Sequence, residues 1–395
     1  MRYVLLIPDG AADEPRDELD GRTPLAAAEM PEMDALAAQG QVGLVRTVPP
    51  EIDVPGSDVA CLSLLGYDPR RYYTGRGPLE AVSMGVDLGP ADVAFRCNLV
   101  TCGDDMTMLD YSAGEIETPL AHQLMETVSD ELGTPELCFF PGISYRHLLV
   151  WRDGPADAHM TPPHDIMGQP IEKHLPEGDG AERLIQLIHD SHELLNGLEV
   201  NQRLRDAGKH PANMIWPWGQ GRLMRLPAFA LRWGVPGFAV AAVDLVRGIA
   251  KAAGLSAPEI PGATGNLDTD FDAKGRAAVA ALERYGFVLV HVEASDEASH
   301  QGDVEKKVWA LEQFDREVVG QVAAALGRFK ESRVLIVPDH ATPIAVRTHS
   351  KDPVPFLLAG TGIAPDSADR FTEALATDSG VLVEEGHHLI ERLLG

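Results

Sequence analysis

Apolar residues along the chain follow two rhythms. Some form short unbroken runs that stop at polar turn residues: Tyr3–Ile7 before Pro8-Asp9-Gly10, "FVLVHVE", and "RVLIVPD". Such runs predict fully buried strands. Others recur at helical spacing. These are the Ala-rich "TPLAAAEMPEMDALAAQG" closing on Gly40, "LVRGIAKAAG", "AKGRAAVAALERYG" and the long "VWALEQFDREVVGQVAAALGRF". A glycine just past the last periodic residue suits a helix end. "QVGLVRTV", "GFAVAAVD" and "PVPFLLAG" add further strands. Strand and helix alternate over residues 1–89 and again over 228–395. This predicts an α/β core, a doubly wound and mainly parallel sheet that opens with a β-α-β unit.

Residues 90–227 have a different texture, rich in Pro, Gly and polar residues. Their strands are "FRCNLVT" and "YRHLLVW", and a helix runs around "AERLIQLIHDSHELLNGLEV". This stretch predicts a second, α+β domain inserted in the core as a lid. A length of 395 residues agrees with two domains. No internal repeat or low-complexity tract interrupts the pattern.

Charge and cysteine content narrow the function. Asp+Glu number 60 against 33 Lys+Arg, a formal net charge of −27. Such an excess argues against nucleic acid or anionic membrane as partners. It leaves room for a small anionic substrate, because a few Arg residues reverse the field inside a cleft. The four cysteines form no C-x-x-C pair, which argues against a disulfide framework. The N-terminal apolar run is too short for a signal peptide or a membrane span. These features predict a soluble, cytoplasmic protein.

The chemistry collects at strand ends. "LIPDG" supplies Asp9, "LVHVEASDEASH" supplies Asp296 and His300, "LIVPDH" supplies Asp339 and His340, and the following loop supplies His349. Alone, Asp9 is an ordinary turn residue, the "DEASH" pair an exposed acidic loop and His349 a loop or core histidine. Together they are six hard-oxygen and imidazole donors where open α/β sheets place their ligands. Asp296 and His300 are four apart, so one helical turn would aim both the same way. The set suffices for two divalent ions, with Zn, Mn or Mg favoured by the absence of thiolate. Paired ions of this kind serve phosphoryl transfer. Pro55-Gly56-Ser57-Asp58 precedes the apolar "VACLSLLG" and places Ser57 at a helix N-cap. Ser57 there is either a simple cap or a nucleophile beside a phosphate-binding helix end.

The motifs "PGSDVACLSLLGYDPRRYYTGRGPLEA", "AFRCNLVT", "DYSAG", "AAVDLVRGIAKAAGL", "HVEASDEASH" and "PDHATPIAVRTHSKDPVPF" run along nearly the whole chain. In these the sequence resembles the archaeal-type cofactor-independent phosphoglycerate mutases of the alkaline phosphatase superfamily. The resemblance implies a phosphatase-like core with an inserted lid and two divalent metal ions. One ion would be held by Asp9, Ser57, Asp339 and His340, and the other by Asp296, His300 and His349. Ser57 would take the phosphoryl group of a small phosphorylated substrate. Cys61 departs from the pattern, standing where many relatives carry Asn. The wording of the middle segment is similar to a bacterial branch proposed to act as homoserine kinases, which offers a phosphotransferase acting on a small alcohol as the alternative. A phosphoglycerate needs basic residues for two anionic groups, and Arg matches both. The candidates are Arg76, Arg96, Arg146, His147, His164 and Arg247; each is otherwise a surface base or an ion-pair partner.

Overall fold

The computed structural model describes residues 1–52 and 56–395. Its strands in chain order are β1 (Arg2–Pro8), β2 (Gly40–Val45), β3 (Val93–Cys102), β4 (Met108–Asp110), β5 (Leu137–Phe140) and β6 (Arg146–Trp151). Then follow β7 (Met214–Arg222), β8 (Gly237–Val240), β9 (Phe287–Val292), β10 (Ser332–Ile336), β11 (Val354–Gly360) and β12 (Leu382–Val383). The chain divides into two compact units, Met1–Tyr73 with Arg225–Gly395, and Thr74–Met224.

The first unit holds a seven-stranded sheet in the order β12-β2-β11-β10-β1-β9-β8. Its centre, β10-β1-β9-β8, is parallel. Helices on both faces bury these strands, so every residue of β9 is buried and the strands read as unbroken apolar runs. Strand β11 runs antiparallel to β10 and to β2, while β12 is parallel to β2. The fold is therefore α/β around a mixed sheet with a parallel centre.

Three expectations need correction. Strand β2 does not pair with β1, so no N-terminal β-α-β unit forms. Both edges of β1 are taken by the doubly buried β9 and β10, and β2, which mixes buried and half-buried residues, lies further out. The Ala-rich segment is two helices, Pro24–Ala27 and Pro31–Ala37. Pro31 disfavours a helical Met30, which sits at φ −124°, ψ 62°. The long helix is continuous from Val304 to Leu326 but passes through a π segment, Phe314–Val319.

In the second unit β3 is the hub of an antiparallel sheet, with order β4-β3-β6-β5 and β7 on the other edge of β3. One face, with Phe95, Cys97, Leu99, Leu149 and Ile215, packs on helices Thr118–Leu132 and Ala181–Asn196. Residues 74–89, expected in the core, belong to this unit. Ala81 of helix Arg76–Met84 packs against Ala94, Leu148 and Val150 of the opposite face. Gly77 allows that approach, since a β-carbon there would lie 2.3 Å from the Ala94 carbonyl oxygen. Among the described residues no helix is long and apolar enough to cross a membrane.

Candidate active site

Because β10, β1 and β9 lie side by side and run parallel, their carboxyl ends open at one edge of the sheet. Asp9 follows β1, Asp339 and His340 follow β10, and helix Ala294–Gln301 with Asp296 and His300 follows β9. Gly10 makes the convergence possible. Its φ is +61°, and a β-carbon there would come within 2.5 Å of Asp296 Oδ1 and 2.6 Å of Thr342 Oγ1. Its N–H donates to Asp339 Oδ1 at 3.2 Å, and the His340 N–H donates to the same oxygen at 3.0 Å. Asp339 Oδ2 stays available to the site.

Two groups of donors result. In the first, His340 Nε2 lies 3.5 Å from Asp9 Oδ1, 3.4 Å from Asp339 Oδ2 and 3.1 Å from Ser57 Oγ. In the second, Asp296 Oδ2 is 3.1 Å from His300 Nε2, and Asp296 Oδ1 is 3.5 Å from His349 Nε2. The two imidazole nitrogens are 3.1 Å apart. Asp296 and His300 share a helical turn, as their spacing predicts. The groups adjoin: the His340 and His349 rings stack with centroids 3.8 Å apart. Thr342 Oγ1 donates to Asp296 Oδ1 at 2.6 Å and so accepts from His340 Nδ1 at 3.1 Å. That leaves the lone pair of His340 Nε2 toward the Ser57 hydroxyl.

Two buried carboxylates, Asp9 and Asp339, beside the half-buried Asp296 are costly unless cations offset them. Burial, reinforced by the charges of Asp339 and Asp296, holds the Asp9 carboxyl well above the usual range. Burial also opposes ionisation of Asp339, but the neighbouring imidazoles of His340 and His291 outweigh it and hold that group low. Hydrogen bonds from His300 and His349 outweigh burial at Asp296. His300 is pushed up to about 9, first by its hydrogen bond to Asp296. Burial lowers His340 to about 4. Asp9 Oδ1 is buried with no hydrogen-bond partner. His300 Nδ1 donates to the Arg347 carbonyl at 2.9 Å, which leaves Nε2 to face Asp296 and His349. An orphaned buried carboxylate oxygen at the first group, and carboxylate and imidazole donors clustered at both, fit divalent cations.

Ser57 does not cap the helix. The N-cap is Gly56, with extended backbone (φ −162°, ψ 162°), and Ser57 is the first residue of helix Ser57–Leu64. Its hydroxyl is thereby freed to meet His340. Pro55 of the motif lies outside the described residues.

The structure adds participants that the pattern reading passed over. His291 sits within β9 with its Nε2 3.4 Å from Asp9 Oδ2 and 3.7 Å from Asp339 Oδ2. Its Nδ1 meets Glu293 Oε1 at 3.0 Å, and Lys274 Nζ donates to Glu293 Oε2 at 2.6 Å. The available signal was "HVE": His291 interrupts an otherwise apolar strand, and Glu293 stands just past its end. Lys307, fully buried, donates to Asp13 Oδ2 at 2.7 Å and to the Thr342 carbonyl at 3.0 Å. It ties the loop after Asp9 to the loop after His340. Replacing Lys307 by Met leaves Asp13 buried without its cation. It is expected to cost about 3–5 kcal/mol, read as a lowered urea midpoint.

The basic candidates separate. In the second unit Arg96 lies over Trp218, with Cζ 4.5 Å from the ring centroid and Nε 2.9 Å from Glu80 Oε1. Arg76 Cζ lies 5.8 Å from the same ring, and the His164 ring 5.2 Å from it. Burial, then the charges of Arg76 and Arg146, keep the Arg96 guanidinium below its ordinary range. Arg146 pairs across from Asn98, on the Arg96 face. His147 does not join them. As the next residue along β6 it points to the opposite, core-covered face, buried, with Nδ1 accepting from the Gly142 N–H. Arg247, in the first unit, is already paired with Asp244 and Glu259 at 3.4 and 3.3 Å.

A family profile described as 2,3-bisphosphoglycerate-independent phosphoglycerate mutase matches residues 37–201. A probable enzyme of that name from Geobacter sulfurreducens is 49% identical over all of both chains. One from Methanothermobacter thermautotrophicus is 48% identical over all of this chain and 97% of its own. Among solved structures, a Pyrococcus horikoshii protein is 32% identical with TM-score 0.83, covering 100% of this chain and 96% of its own. The cofactor-independent phosphoglycerate mutase of Thermoplasma acidophilum is 25% identical with TM-score 0.67, covering 100% and 99%. These names give no support to the homoserine phosphotransferase alternative. With full-length identity near one half and the expected α/β core in place, the chain belongs to the 2,3-bisphosphoglycerate-independent phosphoglycerate mutases, a family of isomerases.

Proposed function

We propose that this chain interconverts 3-phosphoglycerate and 2-phosphoglycerate through a phosphorylated Ser57. The observation that carries the reading is the Ser57 hydroxyl, free of capping duty and 3.1 Å from His340 Nε2 beside the buried carboxylates of Asp9 and Asp339. Asp9, Ser57, Asp339 and His340 would hold one divalent cation, and Asp296, His300 and His349 the other. Mn, Zn and Mg all suit these oxygen and imidazole donors. When bound, the cations supply positive charge that favours an ionised serine and offsets the charge of a transferring phosphoryl group.

The chain's own residues supply the rest. Ser57 Oγ forms the new bond to phosphorus as the substrate's ester oxygen leaves and takes a proton. The other hydroxyl of the same glycerate then loses its proton, takes the phosphorus back and frees Ser57. No group is gained or lost overall. The released glycerate must be retained between the two transfers and water kept from phospho-Ser57. We assign retention to the inserted unit as a lid, with Arg76, Arg96, Arg146 and His164 around Trp218 recognising the anionic groups. The four free thiols suit a cytoplasmic setting.

An enolase-coupled assay with 3-phosphoglycerate and Mn²⁺ tests the reaction; a folded, metal-loaded sample without turnover overturns it. Arg146→Ala is expected to raise KM about 10–100-fold, the worth of one charge-assisted hydrogen bond. Its Tm should not change, because the side chain is exposed. An unchanged KM would remove Arg146 from substrate recognition.

A further inference from the structure

We propose that Arg347 is a positioning residue for the second group of donors, clamping the loop that carries His349 onto the helix that carries Asp296 and His300; this rests on the assignment of that group to a divalent cation. Arg347 stands two residues before His349, in an exposed stretch, with φ at +56°. A left-handed backbone is uncommon for a residue other than Gly, Asn or Asp, and it persists where the surroundings hold it in place.

Two contacts hold it, one from each part of the residue. The Arg347 carbonyl accepts from His300 Nδ1 at 2.9 Å. The guanidinium lies across Gly302, where a β-carbon would come within 2.5 Å of its Nε and 2.7 Å of its Cζ and Nη2. Gly302 directly follows helix Ala294–Gln301, at φ +74°, and its N–H donates to the Ala298 and Ser299 carbonyls. Glycine both adopts this backbone and leaves room for the flat group. The cation thereby sits at the C-terminal end of the helix, where the last carbonyls favour positive charge. At its own base the loop is pinned by the Arg347 N–H to the Pro343 carbonyl and the Ser350 N–H to the Ala341 carbonyl, both at 2.9 Å. Neither of those bonds reaches the helix.

The clamp matters because the second group is assembled from two segments. Asp296 and His300 come from one helical turn, and their spacing is fixed by the helix. His349 is 49 residues beyond His300, and its Nε2 must be kept 3.1 Å from His300 Nε2 for the three donors to share an ion. Arg347 joins the two segments twice, through its carbonyl and through its side chain. Holding the loop in place beforehand lowers the ordering cost of binding, as outer supports of metal ligands do. The first group takes no donor from residues 341–349, so the effect should fall on one ion only.

The test titrates Mn²⁺ onto the full chain after chelator stripping, with bound ions counted by equilibrium dialysis. The wild type should take two ions. Arg347→Ala and Arg347→Gly should take one ion as the wild type does and the other about 10–100-fold more weakly. Glycine suits the left-handed backbone, so a loss shared by both variants traces to the side chain and not to φ. Turnover should recover at saturating Mn²⁺, with only the activation midpoint shifted. In an Asp296→Asn background, which keeps only the first ion, Arg347→Gly should change nothing further. A residue that merely braced the fold would lower the metal-free Tm and weaken both ions alike. That result, or wild-type affinity for both ions in the variants, would overturn the clamp. A wild type that binds fewer than two ions overturns the metal assignment and the clamp with it. Absent mutase turnover with two ions bound is a failure of the reaction reading alone, since the dialysis counts do not use turnover.

Discussion

Ser57→Ala is expected to abolish phosphoglycerate turnover, by at least about 10⁴-fold, the scale on which removing a nucleophile acts. The fold should survive. Gly56, not Ser57, is the N-cap, so no capping bond is lost. The Ser57 hydroxyl's hydrogen bond to His340 Nε2 is worth about 0.5–1.5 kcal/mol net. Stability and activity should therefore separate sharply, which a structural serine would not allow. Intact-protein mass after incubation with phosphoglycerate and divalent metal gives the direct reading. The wild type should carry one added phosphate and Ser57→Ala none. An adduct on the variant, or turnover without Ser57, would sink the mechanism.

The second large effect is on metal. Chelator treatment should remove activity, and added divalent cation should restore it. Asp296→Asn keeps the shape of the side chain but removes the charge that His300, His349 and Thr342 all address. It should bind one ion fewer per chain at metal concentrations that saturate the wild type. Loss of an outer-shell partner costs about 10–100-fold in affinity, so loss of a direct ligand should cost at least about 100-fold. Equilibrium dialysis with metal analysis reads the deficit. An unchanged ion count in Asp296→Asn would remove that residue from the ligand set, whatever its turnover.

The metal donors were legible because their signals are local. Asp9, Asp296, His300, Asp339 and His340 each stand just beyond an apolar run, and acidic or imidazole side chains there have no structural reason to follow buried strands. The spacing of Asp296 and His300 stated their common direction before any fold was known. His291, Glu293, Lys274 and Lys307 were not legible in the same way. Each lies within or at the end of a strand or helix whose neighbours are ordinary, and its meaning depends on a partner the local pattern does not name. Lys307 and Asp13 are 294 residues apart. His147 shows the converse: read beside Arg146 it looked like a partner in anion binding, and strand alternation sends it to the other face.

By itself the sequence determined the class of the protein. Doubly buried strands must be continuous apolar runs, helices over a sheet must be periodic, and ligand-bearing residues in such folds follow the strands' carboxyl ends. These constraints act over a few residues, so they can be read along the chain. Only the tertiary structure decided which strands are neighbours. It set β9 and β10, not β2, against β1, and thereby brought Asp9, Asp296 and Asp339 into one pocket. It moved the N-cap to Gly56 and turned Ser57 toward His340. It also assigned residues 74–89 to the inserted unit. Strand order and side-chain partnership come from burying many distant surfaces together. No short window of sequence contains that information.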